Sequence, residues 1–129
     1  NMVLPQMEKI GGGRIIVISS IAGITGSPVL GAYSISKTAD LGLVRSLATE
    51  WGPKNITVNA LCPGLIKTDF ARALWEDPET LSKVEANAPL RRIGVPDEVA
   101  GAAVLLASES GAFITGQKIV MDGGVTITS

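Results

Sequence analysis

Tyr33 and Lys37 are the residues of this chain whose types and spacing first suggest chemistry. A spacing of four places both side chains on one face of a helix, within reach of a common ligand. Free tyrosine ionises only at about pH 10, but a neighbouring ammonium stabilises the phenolate and makes tyrosine usable as a general acid or base. The same spacing also arises by chance, with a packed ring and a solvated lysine, so the pair alone leaves both interpretations open.

Ser20 adds a hydroxyl close to this pair. It directly follows an apolar run over 14–19, and open parallel sheets bind their ligands beyond the carboxyl ends of strands. The chain contains no histidine, so Ser20 is not a histidine-activated nucleophile, and a Ser-Lys hydrolase through Lys37 is the remaining hydrolytic option. We expect Ser20 to donate a hydrogen bond to a substrate oxygen. The alternative is that Ser19 and Ser20 only satisfy backbone groups of a turn.

The elements that must position these residues are short apolar strands separated by helices. Continuous apolarity without alternation is typical of strands that are covered on both faces, as in a parallel sheet. Such runs predict strands over residues 14–19, 56–61 and 118–121. Three strands make a thin sheet, and the apolar strand at its edge needs cover. The strand pattern therefore predicts half of a larger sheet.

Helical patterns lie between the strands. Spacings of three and four predict a helix over 31–51, which Gly52-Pro53 ends. A helix from Pro96 to about residue 108 is predicted by the proline and the acidic residues of its first turn. A shorter one is expected after Asp77, with Asp77 as its N-cap. Strands alternating with helices predict an α/β fold with right-handed βαβ crossovers.

Composition excludes several classes of function. The chain has 129 residues, 46% of them hydrophobic, with 11 basic and 12 acidic side chains. High apolar content argues against disorder, and the absence of a basic excess argues against nucleic-acid binding. No apolar stretch is long enough to span a membrane and no signal peptide is visible, so we expect a cytoplasmic protein. Without histidine, and with Cys62 as the only cysteine, neither a metal site nor an intrachain disulfide is expected.

Ser20, twelve intervening residues and then Tyr33-x-x-x-Lys37 resemble the catalytic core of the short-chain dehydrogenase/reductase family. Three further segments resemble the family's fifth strand with its serine, its sixth strand with a Pro-Gly turn, and its closing strand: 13–23, 58–64 and 114–124. The resemblance covers about 6–124. It implies that 1–129 form a single partial domain, the C-terminal half of a Rossmann-type doubly wound parallel sheet. More narrowly, residues 65–70 with Leu74-Trp75 are similar to the carbonyl and retinal reductase branch.

The resemblance implies hydride transfer between a nicotinamide cofactor, NAD or NADP, and an alcohol or carbonyl substrate. Ser20 would orient the carbonyl, Tyr33 would exchange the proton, and Lys37 would stabilise the phenolate and bind the nicotinamide ribose. The implied catalytic residues are Ser20, Tyr33 and Lys37, and the implied cofactor-binding residues are Tyr33, Lys37, Pro63, Gly64, Ile66 and Thr68. Most family members are dimers or tetramers, so a homo-oligomer is expected.

Several family features have no counterpart in this chain. Gly11-Gly12-Gly13 is not the family's dinucleotide-binding turn, because no strand precedes it and no helix follows; we expect it to turn the chain into the first strand. The residue that selects NAD or NADP and the fourth catalytic residue, an asparagine, are also missing. The alternative function is therefore a non-catalytic truncated module that is stable only by self-assembly or by pairing with a partner chain.

The remaining large or reactive side chains are predicted to be structural. We expect Cys62 to pack beside the Pro-Gly turn, a reactive thiol being the alternative. Trp51 is expected to anchor a helix end and Trp75 a loop. Residues 65–89 match the position of the family's substrate lid, and their composition also suits a surface helical hairpin.

Overall fold

A computed structural model describes residues 2–27 and 29–128. Its helices and strands, in chain order, are α1 (Leu4–Lys9), β1 (Gly13–Ile18), α2 (Gly31–Trp51), β2 (Ile56–Pro63), α3 (Arg72–Trp75), α4 (Pro78–Asn87), α5 (Pro96–Ala107) and β3 (Lys118–Met121). Single 3-10 turns cover Ile21–Gly23, Gly52–Lys54, Glu109–Gly111 and Val125–Ile127. No helix among the described residues is long and apolar enough to cross a membrane.

The three strands form one parallel sheet in the order β1-β2-β3. Ile16 pairs with Asn59 and Cys62 pairs with Val120, so the carboxyl ends of β1, β2 and β3 lie at the same edge. The predicted α/β architecture and its parallel strands are confirmed, with β2 two residues longer than expected. In the described part of the chain β1 is an edge strand, and Ile18 at its end is 54% exposed.

The core surrounds β2, which is buried along its whole length up to Pro63. Val58, Ala60 and Cys62 are fully buried, and the face of α2 that carries Val44 and Ala48 packs against them. Each fully buried side chain of the size of valine contributes about 1.5–3 kcal/mol. Burial on both faces explains why apolar residues dominate this strand, with Thr57 and Asn59 as its buried polar residues, and it makes β2 the rigid base of the sheet.

The helix boundaries follow from local residue chemistry. α2 begins and ends at the predicted residues, and a 3-10 turn starting at Gly52 follows it. Asp77 caps α4, since its carboxylate accepts a 2.8 Å hydrogen bond from the Thr80 backbone N–H. α5 ends at Ala107, one residue earlier than expected, and Val95 precedes it as N-cap with its N–H donating to the Glu98 carboxylate at 2.9 Å.

Two helices were not predicted. α1 has six residues and α3 has four, which is too short for a helical period to appear in the sequence. Between α1 and β1, Gly11 and Gly12 have positive φ angles of 92° and 137°. Glycine adopts this region without a steric penalty, so the expectation that these glycines turn the chain into β1 is confirmed.

Candidate active site

A cleft of about 720 Å³ opens at the carboxyl ends of β1 and β2. All seven residues singled out from the sequence line it: Ser20, Tyr33, Lys37, Pro63, Gly64, Ile66 and Thr68. Apolar side chains contribute most of the remaining wall, among them Ile21, Leu30, Phe70, Leu74 and Val99. A few polar groups in a largely apolar cleft are typical of a small-molecule site.

Ser20 lies in the turn that follows β1, in extended backbone (φ −165°) as the N-cap of the 3-10 turn. Its Oγ accepts a 3.1 Å hydrogen bond from the Ala22 N–H, so its own O–H proton remains available to a ligand. Ser19 is buried and donates to the Lys37 carbonyl at 2.9 Å. Ser19 thus satisfies a backbone carbonyl, as the alternative interpretation predicted for both serines. Ser20 caps the turn and also faces the cleft.

The same turn is fixed against the first half of α2. Besides the Ser19 bond, the Thr38 hydroxyl shares its one proton between the Gly23 carbonyl at 3.1 Å and the Ser34 carbonyl of its own helix at 2.9 Å. These two bonds hold the Ser20 turn against the helix that carries Tyr33 and Lys37. The relative position of the three side chains is therefore set by backbone groups on both sides, which favours a preorganised site.

Lys37 and Tyr33 are half-buried neighbours, and the Lys37 ammonium lies 5.8 Å from the centre of the Tyr33 ring. The ammonium donates to the Ile18 carbonyl at 3.0 Å and to the Asp40 carboxylate at 3.3 Å. An ammonium has three N–H groups, so one remains for a ligand in the cleft. The sequence reading missed Asp40, although the three-residue spacing from Lys37 on a helix was available as a signal.

The loop after β2 begins at Pro63-Gly64. The Gly64 N–H donates to the Met121 carbonyl at 2.9 Å, and a Cβ on Gly64 would lie 2.9 Å from the Cβ of Asp122. Real side chains do not approach so closely, so the chain can pass Asp122 at this point only with glycine at position 64. Asp122 itself accepts bonds from the backbone N–H groups of Thr126 and Gly124. Burial opposes its ionisation, but these bonds outweigh burial and hold the pKa of Asp122 below its usual range.

Beyond Gly64, the loop is held by a short parallel bridge between Ile66 and Gly94. The bridge uses the Leu65 carbonyl, which accepts from Gly94 N–H at 3.0 Å, and the Lys67 N–H, which donates to the Gly94 carbonyl at 2.9 Å. The backbone groups of Ile66 are not used in it. Ile66 and Thr68 therefore enter the cleft from a loop that is anchored on its far side.

The segment that contains α3 borders the cleft. Phe70 and Leu74 line it and remain 89% and 48% exposed. The Trp75 indole N–H donates to the Thr68 carbonyl at 2.8 Å, so Trp75 does anchor the loop, although it lies at the end of a helix. Residues 65–89 thus contain the helices α3 and α4, as the hairpin interpretation expected, and their first part, 65–74, lines the cleft; the substrate lid stays a prediction.

Comparison with known proteins decides the family. A family model described as enoyl-(acyl carrier protein) reductase matches residues 1–126. Dehydrogenase/reductase SDR family member 4 of Bos taurus is 48% identical over 122 residues. The chain belongs to the short-chain dehydrogenase/reductase family. The alignment covers 95% of this chain and 44% of the bovine protein, so the chain spans less than half the length of that relative.

Solved structures of other dehydrogenases share the fold. Gluconate 5-dehydrogenase from Burkholderia cenocepacia J2315, in complex with NADP and tartrate, superimposes with a TM-score of 0.95 at 33% identity, over 98% of this chain and 50% of that one. A 7α-hydroxysteroid dehydrogenase with NADH and 7-oxo glycochenodeoxycholic acid gives 0.91 at 39% identity, over 95% and 48%. The predicted family and the Rossmann-type architecture are confirmed.

The other side chains predicted to be structural in this short-chain dehydrogenase/reductase chain are placed as expected. Cys62 is fully buried below the Pro-Gly turn, and burial raises the pKa of its thiol. Trp51 lies at the end of α2 and packs against the core. No group of three or more potential metal ligands occurs within residues 2–27 and 29–128.

Proposed function

We propose that the protein is an NAD(P)-dependent oxidoreductase that interconverts an alcohol and a carbonyl compound, with Tyr33 as general acid and base. The observation that carries the proposal is the convergence of Ser20, Tyr33 and Lys37 on one cleft at the carboxyl ends of β1 and β2. Family membership supports an oxidoreductase. Solved relatives in complex with NADP or NADH support a nicotinamide cofactor.

The residues present fit the nicotinamide end of such a cofactor. The cleft offers an apolar wall for a flat ring, an unused N–H on Lys37 for a ribose hydroxyl, and the Thr68 hydroxyl for a carboxamide. Tyr33, Lys37, Pro63, Gly64, Ile66 and Thr68 would hold the cofactor, which supplies the hydride when it is bound. NAD and NADP are both to be tested, because none of these six residues distinguishes them.

In the direction of carbonyl reduction, Ser20 donates its free O–H to the substrate oxygen and orients the carbonyl carbon toward the cofactor. As hydride reaches that carbon, negative charge develops on the oxygen. The Tyr33 hydroxyl donates its proton there, and the resulting phenolate is stabilised by the Lys37 ammonium nearby. In the reverse direction the phenolate would take the alcohol proton, and the oxidised nicotinamide cofactor would accept the hydride from the carbon.

The experiment is the Tyr33→Phe variant of the full-length protein, assayed by absorbance of the reduced nicotinamide with both cofactors. Loss of the proton donor is expected to lower kcat by about 10²- to 10⁴-fold while the cofactor Kd changes little. Ser20→Ala is expected to lower kcat as well, and Ser82→Ala, on the exposed surface of α4, serves as its control. Full turnover by Tyr33→Phe would contradict the assigned role.

A second candidate, a non-catalytic module that assembles through strand pairing, is favoured by the edge strand β1 with its exposed Ile18. Size-exclusion chromatography with light scattering, together with cofactor titration, separates the two. A protein that binds no nicotinamide dinucleotide but assembles would support the module.

We further propose a cytoplasmic homo-oligomer, a dimer or tetramer, in which 1–129 belong to one partial Rossmann domain. Exposed apolar side chains on α2 (Ile35, Leu43) and on α5 (Val104, Leu105) support contacts between copies. The same light-scattering measurement tests this, and a monomeric wild-type protein would contradict it.

A further inference from the structure

Trp75 makes a hydrogen bond that the proposed chemistry does not use. It is the last residue of α3, and its indole N–H donates to the Thr68 carbonyl, seven residues earlier, at 2.8 Å. The Lys67 ammonium lies over the same ring, 5.3 Å from its centre. The ring is half-buried, and it is held by two neighbouring residues of the loop that follows Gly64.

The hydrogen bonds that Thr68 makes within its own turn are longer than the bond from the Trp75 indole. Its hydroxyl donates to the Ile66 carbonyl at 3.4 Å and accepts from the Ala71 N–H at 3.3 Å, both long hydrogen bonds. Its carbonyl accepts from the Ala71 N–H at 3.2 Å and from Trp75 at 2.8 Å. Among the hydrogen bonds of Thr68 in the described part of the chain, the indole bond is the shortest.

The segment on the other side of the bond has no buried support, since its ion pairs, from Arg72 to Asp69 and to Glu76, are exposed. α3 is a single turn of four residues without a buried side chain, and helices of that length are not stable alone. Phe70 and Leu74, which border the substrate side of the cleft, lie on the chain between Thr68 and Trp75. The indole bond therefore closes a small loop that contains this apolar wall.

We propose that Trp75 is a positioning residue that couples the nicotinamide end of the site to its substrate wall. By holding the Thr68 carbonyl, the indole sets the position of the Thr68 hydroxyl and of Phe70 and Leu74 together. The inference rests on the proposed function, because it gives the Thr68 hydroxyl a cofactor to bind. Breaking the bond should weaken both cofactor and substrate binding, and leave the reacting groups on β1 and α2 in place.

The test is Trp75→Phe in the full-length protein, with titration of NADPH and NADH by nicotinamide fluorescence and steady-state kinetics on any carbonyl substrate the wild type reduces. Loss of one hydrogen bond is expected to raise the cofactor Kd and the substrate KM about 3- to 10-fold, with kcat within about 2-fold of wild type. Trp51→Phe is the matched control, since the Trp51 indole N–H is buried without a partner among the described residues. It is expected to leave both constants unchanged.

Two further variants separate positioning from a general loss of structure. Trp75→His keeps a ring N–H, and it is expected to recover part of the lost affinity. In a double-mutant cycle, Trp75→Phe should cost little cofactor affinity once Thr68→Ala has removed the hydroxyl that it positions. Additive losses, or a lower melting temperature with unchanged Kd and KM, would overturn the inference.

The outcome also distinguishes failure of this inference from failure of the proposed function on which it rests. If the wild type binds neither dinucleotide, the proposed function fails and the inference with it. If the wild type binds and turns over while Trp75→Phe retains the wild-type Kd and KM, the inference alone fails.

Discussion

Asn59 lies in the middle of β2 with 1% of its surface exposed. Its amide nitrogen donates to the Ile114 carbonyl at 2.7 Å, and its amide oxygen accepts from the Gln117 backbone N–H at 3.0 Å. Both partners lie in the loop before β3, more than fifty residues away in sequence. One buried side chain thus joins the central strand to the loop that starts the third strand.

Asn59→Ala is expected to lower the free energy of unfolding by about 2–4 kcal/mol. A buried polar group left without its partner costs about 1–3 kcal/mol, and two are left here. Two such losses add up to about 2–6 kcal/mol. Ile114 is half-buried and Gln117 is exposed, so water can reach their backbone groups and the total cost should fall in the lower part of this range. The loop keeps other bonds to β2, including Gly116 N–H to the Val58 carbonyl at 2.8 Å, so it should not detach.

The assay is urea unfolding of the full-length protein, followed by circular dichroism at a fixed protein concentration because an oligomer's stability depends on it. Asn87→Ala, at an exposed position at the end of α4, is the control and should change stability by less than about 0.5 kcal/mol. If Asn59→Ala unfolds within about 0.5 kcal/mol of wild type, the two bonds do not contribute as their geometry indicates.

Three further predictions follow from groups around the cleft. Gly64→Ala should weaken cofactor binding, measured by isothermal titration, because the alanine methyl group would lie 2.9 Å from the Asp122 Cβ. Gly26→Ala is the control, and because the space around Gly26 is open it should bind cofactor as the wild type does. The hydrogen bond from Arg92 lowers the pKa of Glu98 from 4.5 to about 2. The stabilisation by this pair is therefore present above pH 4.5 and is lost as the pH falls toward 2. The melting temperatures of wild type and Glu98→Gln should converge near pH 2, and a difference that stays constant with pH would contradict the assignment. Burial raises the pKa of Cys62, so the native protein should not react with a disulfide reagent until it is unfolded; rapid labelling at neutral pH would contradict this.

How much of the fold could be predicted depended on the length and burial of each element. β2 is a long, mainly apolar strand and α2 is a long helix with a buried apolar face, so the sequence pattern and the structure agree. α1 and α3 have six and four residues, and their few side chains follow no detectable period. Individual contacts hold them, namely the burial of Leu4 in the core for α1 and the Trp75 bond to Thr68 for α3, and such contacts leave no periodic pattern.

The same distinction applies to the site. The spacing of Tyr33 and Lys37 and the position of Ser20 after an apolar run were sufficient to predict that the three share a cleft. The pairing of Lys37 with Asp40 depends on side-chain rotamers, and the Thr68–Trp75 bond depends on the path of a loop. Residue type and spacing make the first contact possible without fixing it, and they give no sign of the second. The apolar sequence of β1 predicted that it needs a further partner; β1 is an edge strand in the described part of the chain, and the partner stays a prediction.

The two walls of the cleft differ in how easily they open. β2 is paired on both sides and buried, so its amide protons should exchange with solvent only when the whole domain unfolds. α3 and α4 contain no buried residue, and their amides should exchange through local opening at much lower free energy. A ligand can then enter and leave past α3 while β2 keeps its strand pairing.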